Sequence, residues 1–361
     1  MTQPALNPFI YPGPVPVEQF VDREEALLSL LSRVDTGQNT AIVGEPHIGK
    51  SSLLGHLAEC ADCHERLGQR AAQTVFVFQD CHLLPRSAAP AQFWQQVLAE
   101  LWAACDDAQV REAVDWVVRR QEFGSYALER VFQRVSRRRW RVVLLIDEFD
   151  SLLHHDGFNT AEFFGALRSL ATRFRGLALV TASRLSVAAM HRHSKALNPY
   201  GSPFFNGFIE ANLRPFDDVA VDALLDRALT DTGVAFDPQD REFLHAMAGR
   251  HPFLLQASAG ALYDVAVAGT EGRARYAEAA RVFYRQTEDH FDDLWRYLDA
   301  RARLAATILC LGELDGRVAG ARYDVGDLGS LGRYSGELGR LANQGLVELR
   351  AAEGWQFDWD N

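Results

Sequence analysis

One segment of the chain carries residue types that are typical of phosphate binding. It reads Gly44-Glu-Pro-His-Ile-Gly49-Lys50-Ser51 and follows a short apolar run at residues 40–43. The glycines let successive backbone N–H groups turn toward a phosphate, and the dipole of a following helix adds favourable charge. Lys50 is expected to reach the β- and γ-phosphates of a nucleotide, and the Ser51 hydroxyl is expected to ligate Mg²⁺. The residues predicted to contact the nucleotide here are Gly44, Glu45, Pro46, His47, Ile48, Gly49, Lys50, Ser51 and Ser52.

Two acidic residues end the most apolar run of the sequence, at residues 142–146. A carboxylate at the C-terminal end of a central strand lies in the crevice where open α/β sheets bind ligands. Asp147 is therefore predicted to hold Mg²⁺, and Glu148 is predicted to orient or deprotonate an attacking water. The alternative is that these two acidic residues only end a strand and have no role in catalysis. For the segment that begins at Gly44, the alternative is a glycine-rich turn that arose by chance.

An arginine follows the next apolar run, at residues 177–181. Arg184 is a candidate sensor of the γ-phosphate, and an exposed loop arginine is the equal alternative. Arg168, Arg173 and Arg175 are candidates for a group that reaches into a neighbouring subunit, because such an arginine stabilises transition-state charge.

These residues need a scaffold in which strands and helices alternate. Apolar runs predict strands at residues 40–43, 74–78, 141–146, 177–181 and 208–213, with helical patterns between them, including one helix over residues 53–67. Such alternation predicts an α/β fold with a parallel sheet covered by helices on both faces, as in P-loop NTPases.

The sequence changes character along its length. Residues 1–19 are rich in proline and are predicted to be an extended lead-in. Residues 20–213 are predicted to be an α/β domain that carries both motifs, and residues 214–300 are predicted to be mostly helical. Residues 301–361 have the order helix, helix, strand, strand, which predicts a small winged-helix-like domain.

Several motifs together resemble one family. They are Phe20-Val-Asp-Arg-Glu24, Val43-Gly-Glu-Pro-His-Ile-Gly-Lys-Ser-Ser-Leu53, Leu144-Leu-Ile-Asp-Glu-Phe-Asp150, Asn212-Leu-Arg-Pro-Phe216 and Gly249-Arg-His-Pro-Phe-Leu-Leu-Gln256. They resemble the STAND and origin-recognition-like branch of the AAA+ ATPases over roughly residues 19–300. The resemblance implies that the segment holding Val21 and Arg23 lines the nucleotide base, and that Pro252 packs a helical lid on it. It also implies that residues 20–213 are the P-loop ATPase core and residues 214–300 the helical lid, and that the protein oligomerises with ATP and stays closed with ADP. The family commonly has Gly-Arg where Asp22-Arg23 stand here, and a glycine where Arg250 stands.

Composition narrows the classes of function. The formal net charge of −11 argues against a surface built wholly for the phosphates of nucleic acid. No window approaches the ~18 apolar residues that a membrane span needs. The first 20 residues hold no basic residue, so we expect a cytoplasmic protein without a membrane partner.

Five cysteines include the segment Cys60-Ala-Asp-Cys63-His64, which has the spacing of haem attachment. With Cys81-His82, this segment could instead complete a zinc site. The alternative is reduced, partly buried thiols, since an odd number of cysteines without an export signal fits a reducing compartment.

Three functions are open at this point. The first is an ATP-dependent switch that hydrolyses ATP slowly and controls its own oligomerisation or a separately encoded effector. The second is an AAA+ regulator whose winged helix binds duplex DNA, although residues 301–361 carry 7 arginines against 9 acidic residues. The third is a nucleotide-binding scaffold without catalysis.

Overall fold

The computed structural model describes residues 6–199, 203–315, 320–324, 330–344, 346–350 and 354–357. The chain forms two compact units. The core unit comprises Arg23–Val43 and Lys50–Ala211, and the helical unit comprises Met1–Asp22, Gly44–Gly49 and Asn212–Asn361.

A five-stranded sheet organises the core unit. Its strands are β1 (Asn39–Val43), β2 (Thr74–Asp80), β3 (Arg141–Asp147), β4 (Leu177–Ser183) and β5 (Phe208–Asn212), in the order β2-β3-β4-β1-β5. The pairs β2–β3, β3–β4 and β4–β1 are parallel. Every residue of β1, β3 and β4 is buried, which explains their continuous apolar runs. The predicted α/β fold with a parallel sheet is confirmed.

Helices connect these strands and bury an apolar face of each. They are α1 (Glu24–Thr36), α2 (Lys50–Glu59), α3 (Ala61–Glu65), α4 (Pro90–Ala104), α5 (Ala108–Arg120), α6 (Ser125–Arg137), α7 (Ala161–Arg173) and α8 (Val187–Ser194). The single helix predicted over residues 53–67 is wrong. The backbone of Cys60 is extended, with φ −73° and ψ 104°, so that α2 ends before it and α3 begins after it.

A buried arginine ties the start of β3 to the end of α1. Arg141 donates hydrogen bonds from its guanidinium group to the carbonyl oxygens of Val34, Asp35 and Arg175. The last carbonyls of a helix have no partner within the helix. Arg141 therefore adds to the bonds at the end of α1, where the Val34 oxygen also accepts from the Gly37 N–H group and the Asp35 oxygen also accepts from Arg70. Desolvation lowers the pKa of Arg141.

One helix lies at the centre of an apolar cluster in the helical unit, and the last two helices of the unit belong to a separate cluster. The helices of the unit are α9 (Asp218–Leu229), α10 (Pro238–Ala248), α11 (Pro252–Val267), α12 (Gly272–Tyr297), α13 (Ala300–Leu314) and α14 (Ser335–Gln344). Residues around the whole circumference of α11 are buried, as expected for a helix inside a bundle. The lead-in segment belongs to the same packing, because Phe9 stacks against Phe236 and the Asn7 side chain donates to the Gly260 carbonyl.

The end of the chain forms an antiparallel hairpin, β6 (Val347–Arg350) and β7 (Gly354–Phe357), after α13 and α14. Residues 351–353, between these two strands in the sequence, lie outside the described residues. The order of elements is the predicted one, and the winged-helix assignment stays a prediction. Among the residues described, no helix is both long and apolar enough to cross a bilayer.

The turn before β4 offers a test of packing in the core unit. A Cβ added at Gly176 would lie 2.7 Å from the Ser136 Oγ atom, which already accepts a hydrogen bond from the Gly176 N–H group. We expect Gly176→Ala to lower the free energy of unfolding by about 1–3 kcal/mol through overpacking, as measured by urea denaturation. A Cβ at Gly55 in α2 would meet no atom within 4 Å, so we expect Gly55→Ala to raise stability by about 0.5–1 kcal/mol. Equal destabilisation by both substitutions would contradict this account.

Candidate functional site

The loop after β1 is tight where it begins and left-handed where it turns. A Cβ at Gly44 would lie 2.8 Å from the Leu213 carbonyl oxygen and 2.9 Å from the side chain of Ile48. No residue larger than glycine fits there without a shift. Gly49 has φ +97° and His47 has φ +61°. Such a backbone turns successive N–H groups toward a common side and makes an anion-binding concavity.

The residues predicted to contact a nucleotide differ in exposure. Gly44, Glu45, Ile48 and Lys50 are buried, Pro46, Gly49, Ser51 and Ser52 are half-buried, and His47 is exposed.

Within the helical unit, His47 packs against a cluster of rings. Its ring centroid lies 4.8 Å from that of Phe253 and 5.3 Å from that of His290. His290, in α12, also lies 4.8 Å from Phe253 and 5.6 Å from His251. Pro252 lies between His251 and Phe253 in the sequence and is the first residue of α11, where its fixed φ favours the start of a helix. The phosphate loop therefore touches side chains from α11 and α12.

Val21 lines a cavity of about 390 Å³ in the helical unit, which is within the usual size range of ligand pockets. α9 and α11 form much of its wall, through residues that include Leu224, Arg227 and Gln256. The Arg227 guanidinium group donates to the Phe20 carbonyl oxygen at 3.4 Å. Arg23, also predicted to line the base, lies in the core unit, where it directly precedes α1 and has a left-handed backbone.

In the core unit, Lys50 is a buried cation that faces several charged groups. It begins α2 and is 5% exposed. Desolvation lowers its pKa, and the carboxylates of Glu148, Asp150 and Asp147 act in the opposite direction. The positive charge of Arg184 also lowers the pKa of Lys50. The structure thus brings together Lys50, the acidic pair and Arg184, which the sequence predicted separately.

Asp147 connects the first turn of α2 with the end of β3. Its carboxylate accepts a hydrogen bond from the Ser51 hydroxyl, and its Oδ1 atom accepts one from the Glu148 N–H group at 3.0 Å. Desolvation raises the pKa of Asp147, and the bond from Ser51 opposes that rise. Glu148 has a left-handed backbone and a half-buried side chain. The chain therefore turns sharply where the acidic pair leaves the sheet.

Asp80 is a member of this acidic edge that the sequence reasoning missed. In the sheet register it pairs with Asp147, because β2 lies beside β3. Burial raises the pKa of the Cys81 thiol, and the charges of Asp80 and Asp147 raise it further. The sequence does show an aspartate at the end of an apolar run. To place that aspartate beside Asp147, however, one must know that β2 is the neighbour of β3.

Two buried oxygens at the same edge have no hydrogen-bond partner within the described part of the chain: Oγ1 of Thr181 and Oδ1 of Asp150. The other oxygen of Asp150 accepts a hydrogen bond from the backbone N–H group of Arg184 at 3.3 Å. Of the arginines proposed to act in a neighbouring subunit, Arg173 forms an ion pair with Glu129 at 2.6 Å.

This donor set fits a magnesium nucleotide. Mg²⁺ prefers oxygen ligands and keeps several waters. Ser51 and Asp147 supply a hydroxyl and a carboxylate, and Thr181 Oγ1 and Asp150 Oδ1 are buried oxygens that water molecules would satisfy. Lys50 supplies a positive charge for phosphate.

A parallel sheet with the order β2-β3-β4-β1-β5, and a phosphate loop between β1 and α2, define a P-loop NTPase fold of the AAA+ type. The chain belongs to the family described as Novel STAND NTPase 2, whose sequence profile matches residues 35–310. This confirms the predicted STAND and origin-recognition-like family.

Solved structures share the fold at low sequence identity. A Walker-type ATPase of Pyrococcus abyssi has a TM-score of 0.59 and 15% identity, covering 97% of each chain. The ORC2 protein of Aeropyrum pernix, in ADPNP–ADP complexes, has a TM-score of 0.57 and 14% identity, covering 98% of this chain and 93% of that one. Drosophila ORC bound to DNA has a TM-score of 0.51 and 11% identity, covering 98% and 87%. No curated protein matches the sequence significantly.

The left-handed backbone of His47 allows a test of the loop. Such a conformation costs a residue with a Cβ about 1–2 kcal/mol relative to glycine. His47→Gly and His47→Ala both remove the ring contacts with Phe253 and His290, but only glycine relieves the backbone. We expect His47→Gly to be more stable than His47→Ala by about 1 kcal/mol in chemical denaturation. An alanine variant at least as stable as the glycine variant would contradict the strained loop.

Proposed function

We propose that this protein is a regulatory switch that binds ATP, hydrolyses it slowly and thereby controls its oligomerisation or the activation of a partner effector. The observation that carries the proposal is the buried Lys50 ammonium among the carboxylates of Asp147, Glu148 and Asp150. Lys50 directly follows the phosphate loop in the sequence. A buried cation at this position would be matched by the phosphates of a nucleotide.

Each residue of the site has a proposed role. Residues 44–52 hold the phosphates, and Lys50 binds the β- and γ-phosphate oxygens. Ser51 and Asp147 hold Mg²⁺, which when bound neutralises charge on the phosphate oxygens. Glu148 accepts the proton of the attacking water on a carboxylate oxygen. Arg184 senses the γ-phosphate.

Val21, Arg23 and Pro252 are proposed to contact the base of the nucleotide. Val21 lines a cavity, and Pro252 starts the helix that carries Phe253. The A. pernix ORC2 structure, which contains ADPNP and ADP, supports nucleotide binding in this fold.

The switch itself is proposed to act through His47. Its ring contacts Phe253 at the start of α11 and His290 in the C-terminal half of α12, so a change in the loop alters the packing against both helices. A nucleotide biases such an equilibrium by its differential affinity for the two states. The surface that changes would be the one that an effector or a second copy recognises.

Two substitutions separate binding from hydrolysis. We expect Lys50→Ala to abolish ATP binding in calorimetry, because it removes the cation that faces the phosphates. We expect Glu148→Gln to bind ATP but to release phosphate about 10²- to 10⁴-fold more slowly, since the general base is lost. Lys195→Ala is a matched control, because Lys195 is the other lysine of the sequence and is exposed. Phosphate release by Glu148→Gln at the wild-type rate would mean that Glu148 is not catalytic and would favour a scaffold.

Oligomerisation is expected to depend on the nucleotide. Light scattering after size exclusion should give a larger mass with a non-hydrolysable ATP analogue than with ADP, and Lys50→Ala should show no such difference. The rate of phosphate release per chain should rise with protein concentration, because a neighbour supplies the completing arginine. A rate that is equal in the monomer and the oligomer would argue against this part of the proposal.

A DNA-binding regulator is the second candidate. The hairpin β6–β7 after α14 and the likeness in fold to Drosophila ORC bound to DNA favour it. Against it, two arginines near α14 are held in ion pairs, Arg340 with Asp299 and Arg301 with Glu337. Titration with duplex DNA at low and moderate salt separates the candidates. Tight binding with a steep salt dependence favours the DNA-binding function, and no binding at low salt removes it.

A further inference from the structure

Three side chains that commonly ligate metals converge at the end of α2, in the core unit. They are His56, Cys60 and Cys63, and one potential ligand atom from each lies within 4.8 Å of the other two. Both cysteines are buried, and His56 is half-buried. None of the three belongs to the nucleotide site proposed above.

The break in the helix at Cys60 brings these residues together. In an unbroken helix His56 and Cys63 would be separated by about 10 Å along the axis, which is too far for one ion. Instead, the Cys60 N–H group donates to the His56 carbonyl oxygen at 2.9 Å, and the chain then turns into α3. The Cys60 sulfur accepts a hydrogen bond from the Cys63 N–H group at 3.3 Å. The turn thus holds both sulfurs close to the imidazole.

We propose that His56, Cys60 and Cys63 form a binding site for a thiophilic divalent cation of the zinc class. Thiolate and imidazole ligands select such ions over Mg²⁺. In a tetrahedral zinc site the ligand atoms lie about 3.5–4 Å apart, so small side-chain rotations suffice. Binding forms two metal–sulfur bonds and one metal–nitrogen bond and releases the two thiol protons to solvent. Solvent fills the fourth position.

The surroundings distinguish this ligand set from the one expected from the sequence. His64 lies in the Cys-x-x-Cys-His segment, but its Nε2 atom donates to the Leu57 carbonyl oxygen at 2.8 Å. Its ring stacks on Phe76, with centroids 4.3 Å apart. Cys81 lies beside Asp80 and Asp147 at the acidic edge of the sheet. His56, one helical turn before Cys60, takes the place that the sequence gave to His64.

Cobalt and zinc titrations of the full chain test the proposal. The protein is reduced, treated with chelator and kept free of nucleotide, with excess Mg²⁺ to occupy oxygen-ligand sites. We expect one equivalent of Co²⁺ to give a thiolate-to-cobalt charge-transfer band and the visible bands of a tetrahedral site. One equivalent of Zn²⁺, followed with a chromophoric indicator, should displace the cobalt and abolish these bands.

Single substitutions identify the ligands. Cys60→Ser, Cys63→Ser and His56→Ala should each lose stoichiometric uptake, while the controls Cys310→Ser and His64→Ala should keep it. Circular dichroism and thermal unfolding show whether each variant is folded.

Three outcomes would overturn the proposal. They are the absence of a charge-transfer band in reduced wild-type protein, loss of uptake with either control, and a Cys60–Cys63 disulfide in place of the metal. The wild-type spectrum does not depend on the folding of any variant. Because no nucleotide is present, this test can fail or succeed independently of the proposed ATPase.

Discussion

A buried ammonium group among carboxylates is the constraint on which the rest of the site depends. Lys50 loses its hydration, and the charges of Glu148, Asp150 and Asp147 act against that loss. Such an arrangement requires the end of β3 and the start of α2 to face each other, and the buried parallel strands supply this geometry. The sequence has two lysines against 35 arginines. A compact ammonium suits a tight phosphate cradle better than a planar guanidinium group does, so lysine at this position has a physical reason.

The phosphate loop also packs against side chains of the helical unit. Gly44 fits closely against Leu213, and His47 packs against Phe253 and His290. Aromatic contacts of this kind are sensitive to small displacements, because packed side chains change between discrete arrangements rather than deforming continuously. A loop built for phosphate is thus also a contact point for two helices. This combination is what makes regulation by the bound nucleotide a physical possibility and not only a family resemblance.

The sequence predicted those features whose signal is local. The strands followed from continuous apolar runs such as residues 141–146, and the phosphate loop and acidic pair from motifs in the right context. Asp80 was missed because its position beside Asp147 depends on strand order. The contact between His47 and His290 was missed because 243 residues separate them in the sequence and no periodicity connects them. The helix break at Cys60 was missed because the apolar spacing continues across it. His64 was named with the cysteines because of the Cys-x-x-Cys-His spacing, and that pattern does not include His56.

The different exposure of the two lysines has a practical consequence for covalent chemistry. Lys195, in the short turn after α8, is open to solvent, whereas Lys50 is 5% exposed. Among the side chains of the native chain, an amine-reactive dye would therefore attach at Lys195, in addition to any free α-amino group. Acylation of Lys50 would then report on opening of the core unit, and a peptide map of the labelled protein would distinguish these two events.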